Sequence, residues 1–319
     1  MSVYQARGSG RLVSGVFCVI LCAALWLLPA CGSPETYVRV SLTPADLPAA
    51  GITAPSPTIT PIRMGVAAIL SPKTTSSGYA ALKAYLEQKL GAPVELVQRN
   101  SYAEINELLR TRQLDFAFIC TGAFVRGERE FGMELLAVSE VAGSTVYYSY
   151  IIVPADSRAE RPEDLRGRVF AFTDPLSLTG YMAPLAWLRT LGASPEQFFS
   201  RTLFTYSHDN SIRAVAEKWV DGAAVDSVVY DTLTAQDPRL AERTRIIWRS
   251  EPFGAPPVAV HPQLDAGLKE RLRQVLLTMG DDPDGRAALA PLGVDRFVKG
   301  DLALYQSARA AMEMVGGSE

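Results

Sequence analysis

Three short stretches hold the residues best suited to chemistry. The first is Asp174-Pro175-Leu176-Ser177-Leu178-Thr179-Gly180-Tyr181, set between a strand-like apolar run at 169–173 and a helix-like run at 182–191. Two hydroxyls and a glycine at the start of a helix outline an anion site. The N–H groups of a first helical turn have no partner within the helix, Ser177 and Thr179 add donors, and Gly180 lets a ligand come close. The second stretch is Ser207-His208-Asp209, after a run at 202–206, and the third is Asp226-Ser227, after a run at 222–225. Each has an ordinary explanation by itself: Ser177 and Asp226 as helix caps, His208 as a satisfied structural histidine. Together they put a polar residue at the end of three successive strands. In open α/β sheets, ligands bind outside those carboxyl ends. No Lys or Arg lies in these motifs. Neutral donors suit an oxyanion that must be gripped and also released. Asp226 is the acceptor, able to take a proton from a singly protonated oxyanion or to face an ammonium on the ligand.

Ser177, His208 and Asp226 also have the composition of a hydrolase triad. No Gly-x-Ser-x-Gly elbow surrounds Ser177, so an enzyme is not the expected reading. The net charge of −3 argues against a nucleic-acid partner. Two His and four Cys, without Cys-x-x-Cys or His-Glu-x-x-His spacing, leave no metal site to expect, and no cofactor is expected either.

The elements that must position these residues alternate. Residues 64–70 read as a buried strand, followed by a helix with Tyr79, Leu82, Leu86 and Leu90 on one face and Gly91 just past its end. Residues 94–97 and 115–120 read as strands, with a helix between them opened by the capping box Ser101-Tyr102-Ala103-Glu104. Residues 134–141 and 147–153 are further strands. The alternation repeats over 154–245, with Ser194-Pro195 opening one helix and Asp209 expected to cap another. The runs at 147–153 and 245–260 read as crossovers, and everything after 265 reads as helical. Strand–helix alternation implies parallel sheets. The expectation is an α/β protein of two lobes with parallel-type sheets flanked by helices, joined by two crossover strands, with a cleft between. Ser71 to Ser77 and Thr121-Gly122 would form the first lobe's edge of that cleft, and Tyr147 and Tyr148 could wall it.

The N-terminus is read apart from the fold. Arg7 and Arg11 precede an apolar run at 12–28, and Leu28-Pro29-Ala30-Cys31-Gly32 follows. This charged, apolar, small-residue order resembles a bacterial lipoprotein signal, cleaved before Cys31 with lipid attached to that sulfur. The alternative is a retained membrane helix. Residues 32–61, rich in Pro, Ser, Thr and Ala, read as a tether. Cys120 is then a lone thiol, read as buried filler rather than a nucleophile.

Asp164-Leu-Arg-Gly-Arg168, Phe170-Ala-Phe-Thr-Asp-Pro175, Ser177-Leu-Thr-Gly-Tyr181, Ser207-His208-Asp209, Val220-Asp-Gly-Ala-Ala-Val-Asp226 and Ser250-Glu-Pro-Phe253, with Leu114-Asp-Phe-Ala-Phe118 upstream, occur in an order that resembles a known family. The chain is similar over about 62–310 to PhnD-like substrate-binding proteins of phosphonate, phosphite and phosphate ABC importers. These are type II periplasmic binding proteins. The resemblance implies a two-lobed fold, with lobe 1 at 62–146 plus 250–319 and lobe 2 at 147–249 with the hinge strands. It implies binding without catalysis. The oxyanion would be held by Ser177, Leu178, Thr179, Gly180, His208 and Asp226, with Tyr102, Thr121 and Tyr147 as candidates from the first lobe. The turn departs from the family's Ser-Thr-Ser-Gly-Tyr at Leu178, losing one hydroxyl. Expected partners are the small phosphorus oxyanion, an ABC permease and ATPase, and a membrane through the lipid anchor. The expected state is a monomer on the outer face of the cytoplasmic membrane, the periplasmic side in a Gram-negative cell. A receptor that presents its ligand to a membrane sensor kinase would carry the same lobes.

Overall fold

The computed structural model describes residues 60–316. The expected signal with Cys31, and nearly all of the expected tether, lie outside them.

The first sheet grows from strand–helix alternation. Strand β1 (Ile62–Val66), helix α1 (Pro72–Leu90), β2 (Val94–Gln98), α2 (Tyr102–Arg110), β3 (Phe116–Phe118), α3 (Thr121–Phe131) and β4 (Glu134–Glu140) follow in order. Gly91 ends α1 in the left-handed conformation, φ 64°, which glycine adopts without a Cβ penalty. Ser101 and Glu104 close the capping box on α2 in both directions, with Ser101 N donating to Glu104 Oε2 at 3.0 Å. The chain leaves through β5 (Val146–Tyr147).

The second sheet takes β6 (Ser149–Pro154) and β7 (Val169–Phe172), then α4 (Ala183–Thr190), α5 (Pro195–Phe198), β8 (Arg201–Phe204), α6 (His208–Ala216), β9 (Gly222–Asp226), α7 (Ser227–Gln236), α8 (Pro238–Arg243) and β10 (Thr244–Arg249). Strand β11 (Phe253–Gly254) pairs antiparallel with β5, so the chain passes twice between the sheets through a two-stranded ribbon. Strand β12 (Pro257–Val260), α9 (Ala266–Thr278), α10 (Pro283–Leu289), β13 (Arg296–Val298) and α11 (Gln306–Gly316) rejoin the first sheet.

The strand orders are β13-β4-β12-β3-β1-β2 and β10-β6-β9-β7-β8. Strands β1, β2 and β3 run parallel, as do β7, β8 and β9. Strands β6, β10, β12 and β13 enter antiparallel, so both sheets are mixed around a parallel core. Side chains alternate across each sheet, as the period-2 geometry of a strand requires. Phe116 and Phe118 pack toward α1 and α9, while Ala117 and Ile119 pack toward α2 and α3. In the second sheet, Ala171 faces α6, and Phe170 and Phe172 face α4.

Four expectations are corrected. Thr121-Gly122 opens a helix, α3, that the sequence reading omitted. The single run at 147–153 is two strands, because Tyr147 pairs into the ribbon while Ser149 pairs with β9. The C-terminal part is not wholly helical: β13 is an edge strand three residues long, too short to show a period, and it buries Phe297. Asp209 does not cap α6. Ser207 holds that position, and the Asp209 carboxylate reaches residues after β1 instead.

Candidate functional site

The turn after β7 folds back on its own strand: Thr173 N–H donates to the Gly180 carbonyl at 3.1 Å. Ser177 caps the next helix, its Oγ accepting from Gly180 N–H at 3.0 Å. The first turn is π-helical, with Met182 N–H donating to Ser177 O at 3.0 Å, a geometry often met at functional sites. A Cβ on Gly180 would lie 2.5 Å from Thr173 Cβ, so only glycine fits. Thr179 donates nothing: its Oγ1 is buried without a partner, while its carbonyl accepts from Ser149 Oγ at 2.6 Å. Leu178 is fully buried in the apolar cluster that holds Tyr102, Cys120 and Tyr147. The side chain at the divergent position therefore packs against the first-sheet side.

His208 opens α6 and is buried. Its Nδ1 accepts from Asp226 N–H at 3.0 Å, which places the ring proton on Nε2. Nε2 lies 3.5 Å from Ser177 Oγ. Burial pulls the imidazole down to about 3, so at neutral pH it is an uncharged donor. Asp226 ends β9 and caps α7, its Oδ1 accepting from Val228 N–H at 2.7 Å and Val229 N–H at 3.1 Å. Burial pushes this carboxyl up to about 7. Asp226 also borders a cavity of about 100 Å³ lined by Ala67, Ile69, Ile119, Val228 and Val229 among others.

This arrangement is not a catalytic triad. In a triad a carboxylate accepts from His Nδ1–H. Here Nδ1 is itself the acceptor, its donor is the Asp226 backbone, and the Asp226 carboxylate is turned to the amides of α7.

Opposite the Ser177 turn stand the N-termini of α2 and α3 and the ribbon. The Tyr102 hydroxyl faces Ser177 without closing a hydrogen bond, and the Tyr147 hydroxyl faces Thr121 and Cys120 in the same way. Both hydroxyls are buried and unpartnered. Burial first, then the neighbouring Cys120 and Asp226, and for Tyr102 also Asp174, holds both phenols well above their usual range. Thr121 spends its proton on the Gly254 carbonyl at 2.8 Å. Gly122 meets the Ser177 turn directly: a Cβ there would lie 3.0 Å from Leu178 N and closer still to the Leu176 carbonyl.

The structure thus gathers Ser177, Thr179, Gly180, His208, Asp226, Tyr102 and Tyr147, and places Leu178 and Thr121 beside them in packing and supporting positions. It adds Cys120, expected only as buried filler. That thiol is pushed up to about 11 by burial, against the pull of the Leu178 and Gly122 amides, and stays protonated. The signal was present in outline, since Cys120-Thr121-Gly122 follows β3 as the other polar turns follow their strands. Among the described residues, no group of three or more His, Cys, Asp or Glu is placed to hold a metal ion.

Residues 64–305 match the family model described as ABC transporter, phosphonate, periplasmic substrate-binding protein. The phosphonates-binding periplasmic protein of Escherichia coli (strain K12) is 27% identical over 239 residues, covering 72% of this chain and 70% of that protein. The phosphate-import protein PhnD of Mycolicibacterium smegmatis is 27% identical over 208 residues, covering 62% of this chain and 65% of its own length. Among solved structures, a binding protein component of an ABC phosphonate transporter from Pseudomonas aeruginosa superposes with a TM-score of 0.74 at 25% identity, covering 79% of this chain and 85% of that one. The chain belongs to the family of periplasmic substrate-binding proteins of phosphonate ABC transporters.

Proposed function

We propose that this protein is the lipid-anchored solute receptor of an ABC importer, and that it binds a small phosphorus oxyanion between two lobes, 62–146 with 250–319 and 147–249. One observation carries this reading: the buried hydroxyls of Tyr102, Tyr147 and Thr179 have no acceptor. Buried polar groups are nearly always satisfied, and an orphan costs about 1–3 kcal/mol. Three donors around the Ser177 turn, with His208 Nε2–H beside them, match an oxyanion's lone pairs. No positive side chain is needed, which keeps release possible. Asp226 supplies the complementary acceptor. Titrating near 7, it shares one proton with the ligand: it accepts from a singly protonated oxyanion and donates to a doubly charged one. Lobe closure is the working motion, delivery to a permease and ATPase is the function, and no bond is made or broken. Cys31 would carry the lipid.

A thermal-shift panel of methylphosphonate, phosphite, phosphate and sulfate tests the reading. A ligand at 100 times its Kd adds about 2.7 kcal/mol. For a protein of this size that is a rise of roughly 4–5 °C. No rise with any phosphorus oxyanion would sink the proposal. For the anchor, the wild-type protein should carry a covalent acyl mass that Cys31→Ser lacks, and wild-type protein without it would refute the anchor.

The orphan hydroxyls make a sharper prediction because stability and affinity move in opposite directions. Tyr147→Phe and Tyr102→Phe each remove an unsatisfied buried group, so the ligand-free protein should melt higher by a few degrees. Each also removes a donor to a charged ligand, about 1.5–3 kcal/mol, so binding should weaken by roughly 10-fold or more. A phenylalanine variant that binds as wild type would remove that hydroxyl from the site.

A further inference from the structure

Two helices of the first-sheet side have their N-terminal amides bound by carboxylates from the second-sheet side. Helix α1 starts at Pro72, and Ser71 before it makes no side-chain cap of its own. Asp209, 138 residues away, instead binds the amide and hydroxyl of that N-cap residue. Its Oδ1 accepts from Ser71 N–H at 2.8 Å, and its Oδ2 accepts from Ser71 Oγ at 2.6 Å and Thr74 Oγ1 at 3.0 Å. At α2, the Tyr102 N–H donates to Asp174 Oδ2 at 3.1 Å, while Oδ1 of the same carboxylate accepts from Leu176 N–H at 2.7 Å. Both carboxylates are about 1% exposed. Between these two caps, His208 N–H donates to the Ile69 carbonyl at 2.9 Å.

These acids sit where a coupling device must sit. Asp209 follows His208 directly, and Asp174 lies three residues before Ser177, so each belongs to a turn that also holds site donors. Charge-assisted bonds to helix N-terminal amides are among the stronger ones available to a carboxylate, because donor alignment and the helix dipole both favour the anion. Separating the two sides would return these amides and carboxylates to water. Bringing them together seats the caps and aligns Ser177 and His208 in one movement.

We propose that Asp209 and Asp174 are positioning residues that hold the closed form by capping α1 and α2 across the cleft, and so set how long a ligand stays bound. The ligand-residence part rests on the oxyanion-receptor reading; the closure part does not. The test uses the full-length chain with Asp209→Asn and Asp174→Asn, which keep size and shape but remove the charge. Amide hydrogen exchange at Ser71 and Tyr102 reads each cap directly and needs no ligand. Protection of Ser71 should fall at least 10-fold in Asp209→Asn with Tyr102 less affected, and the reverse should hold in Asp174→Asn. With methylphosphonate and phosphate as probes, dissociation should quicken by about 10-fold while association changes by less than about 3-fold. A merely structural loss would lower the melting temperature without that split. Wild-type protection of both amides in both variants overturns the proposal, even if neither probe binds. Probe binding with an unchanged dissociation rate overturns the residence claim alone, whereas absence of probe binding in wild type counts against the receptor reading.

Discussion

Gly122→Ala should abolish oxyanion binding while the protein still folds. Gly122 is in the first turn of α3 with an ordinary φ, so alanine is welcome there on local grounds. The obstacle is the Ser177 turn packed against it. The new methyl would press into the Leu176 carbonyl and lie 3.0 Å from Leu178 N, and both are backbone atoms that cannot rotate away. Closure then stops short, and the Tyr102 and Tyr147 hydroxyls no longer reach the Ser177 turn. Several donors are lost together, which corresponds to at least about 100-fold in affinity. Calorimetry beside a melting curve checks this, and wild-type affinity in the variant would show that the turns need not approach so closely.

His208→Ala should weaken binding and stability together, for a different reason. It removes the Nε2–H donor and also orphans the Asp226 amide that now donates to Nδ1. A donor to a charged group is worth about 1.5–3 kcal/mol, and an orphaned buried amide about 1–3 more. Only the donor enters the binding difference, which predicts a loss of roughly 10-fold or greater, while the orphaned amide lowers the stability of free and bound protein alike. The pH profile of stability separates His208 from its neighbour. Burial lowers His208 from 6.5 to about 3, so over much of that interval the unfolded chain binds a proton that the native protein does not, and stability rises with pH. Burial raises Asp226 from 3.8 to about 7, so there the native protein holds the extra proton and stability falls with pH. Each slope is about 1.4 kcal/mol per pH unit, and in wild type they oppose each other across the shared interval. Relative to wild type, Asp226→Asn should therefore gain stability as pH rises from about 4 to 7, and His208→Ala should lose it from about 4 to 6.5. Profiles parallel to wild type in both variants would mean that neither group is buried as described.

The second-sheet half of the candidate site was legible as a cluster because its residues sit at strand ends, where local sequence pattern is clear. Ser177, Thr179, Gly180, His208 and Asp226 could be placed on one edge without knowing any contact. The first-sheet half was less legible because its roles depend on what faces it. Tyr102 reads only as the residue after a capping serine, and its orphan hydroxyl becomes visible only against Ser177. Cys120 looks like core filler until Leu178 and Asp226 are seen beside it. Leu178 looked like a missing hydroxyl; the fold makes it an apolar contact to the opposite side. Asp209 was read as a local cap because acids next to helix starts usually are, whereas its partner helix lies 138 residues away in sequence. The antiparallel entry of β6, β10, β12 and β13 was hidden for a similar reason. Strand direction is a property of pairing, and four-residue apolar runs such as β12 carry no sign of it.

The most direct measurement is isothermal titration calorimetry of the full-length chain with methylphosphonate, phosphite, phosphate and sulfate, run on wild type and on His208→Ala. The account predicts one site per chain for at least one phosphorus oxyanion, tighter than about 10 μM or roughly −7 kcal/mol, and weakened at least 10-fold in the variant. No heat with any phosphorus oxyanion, or equal affinity in wild type and His208→Ala, would contradict it.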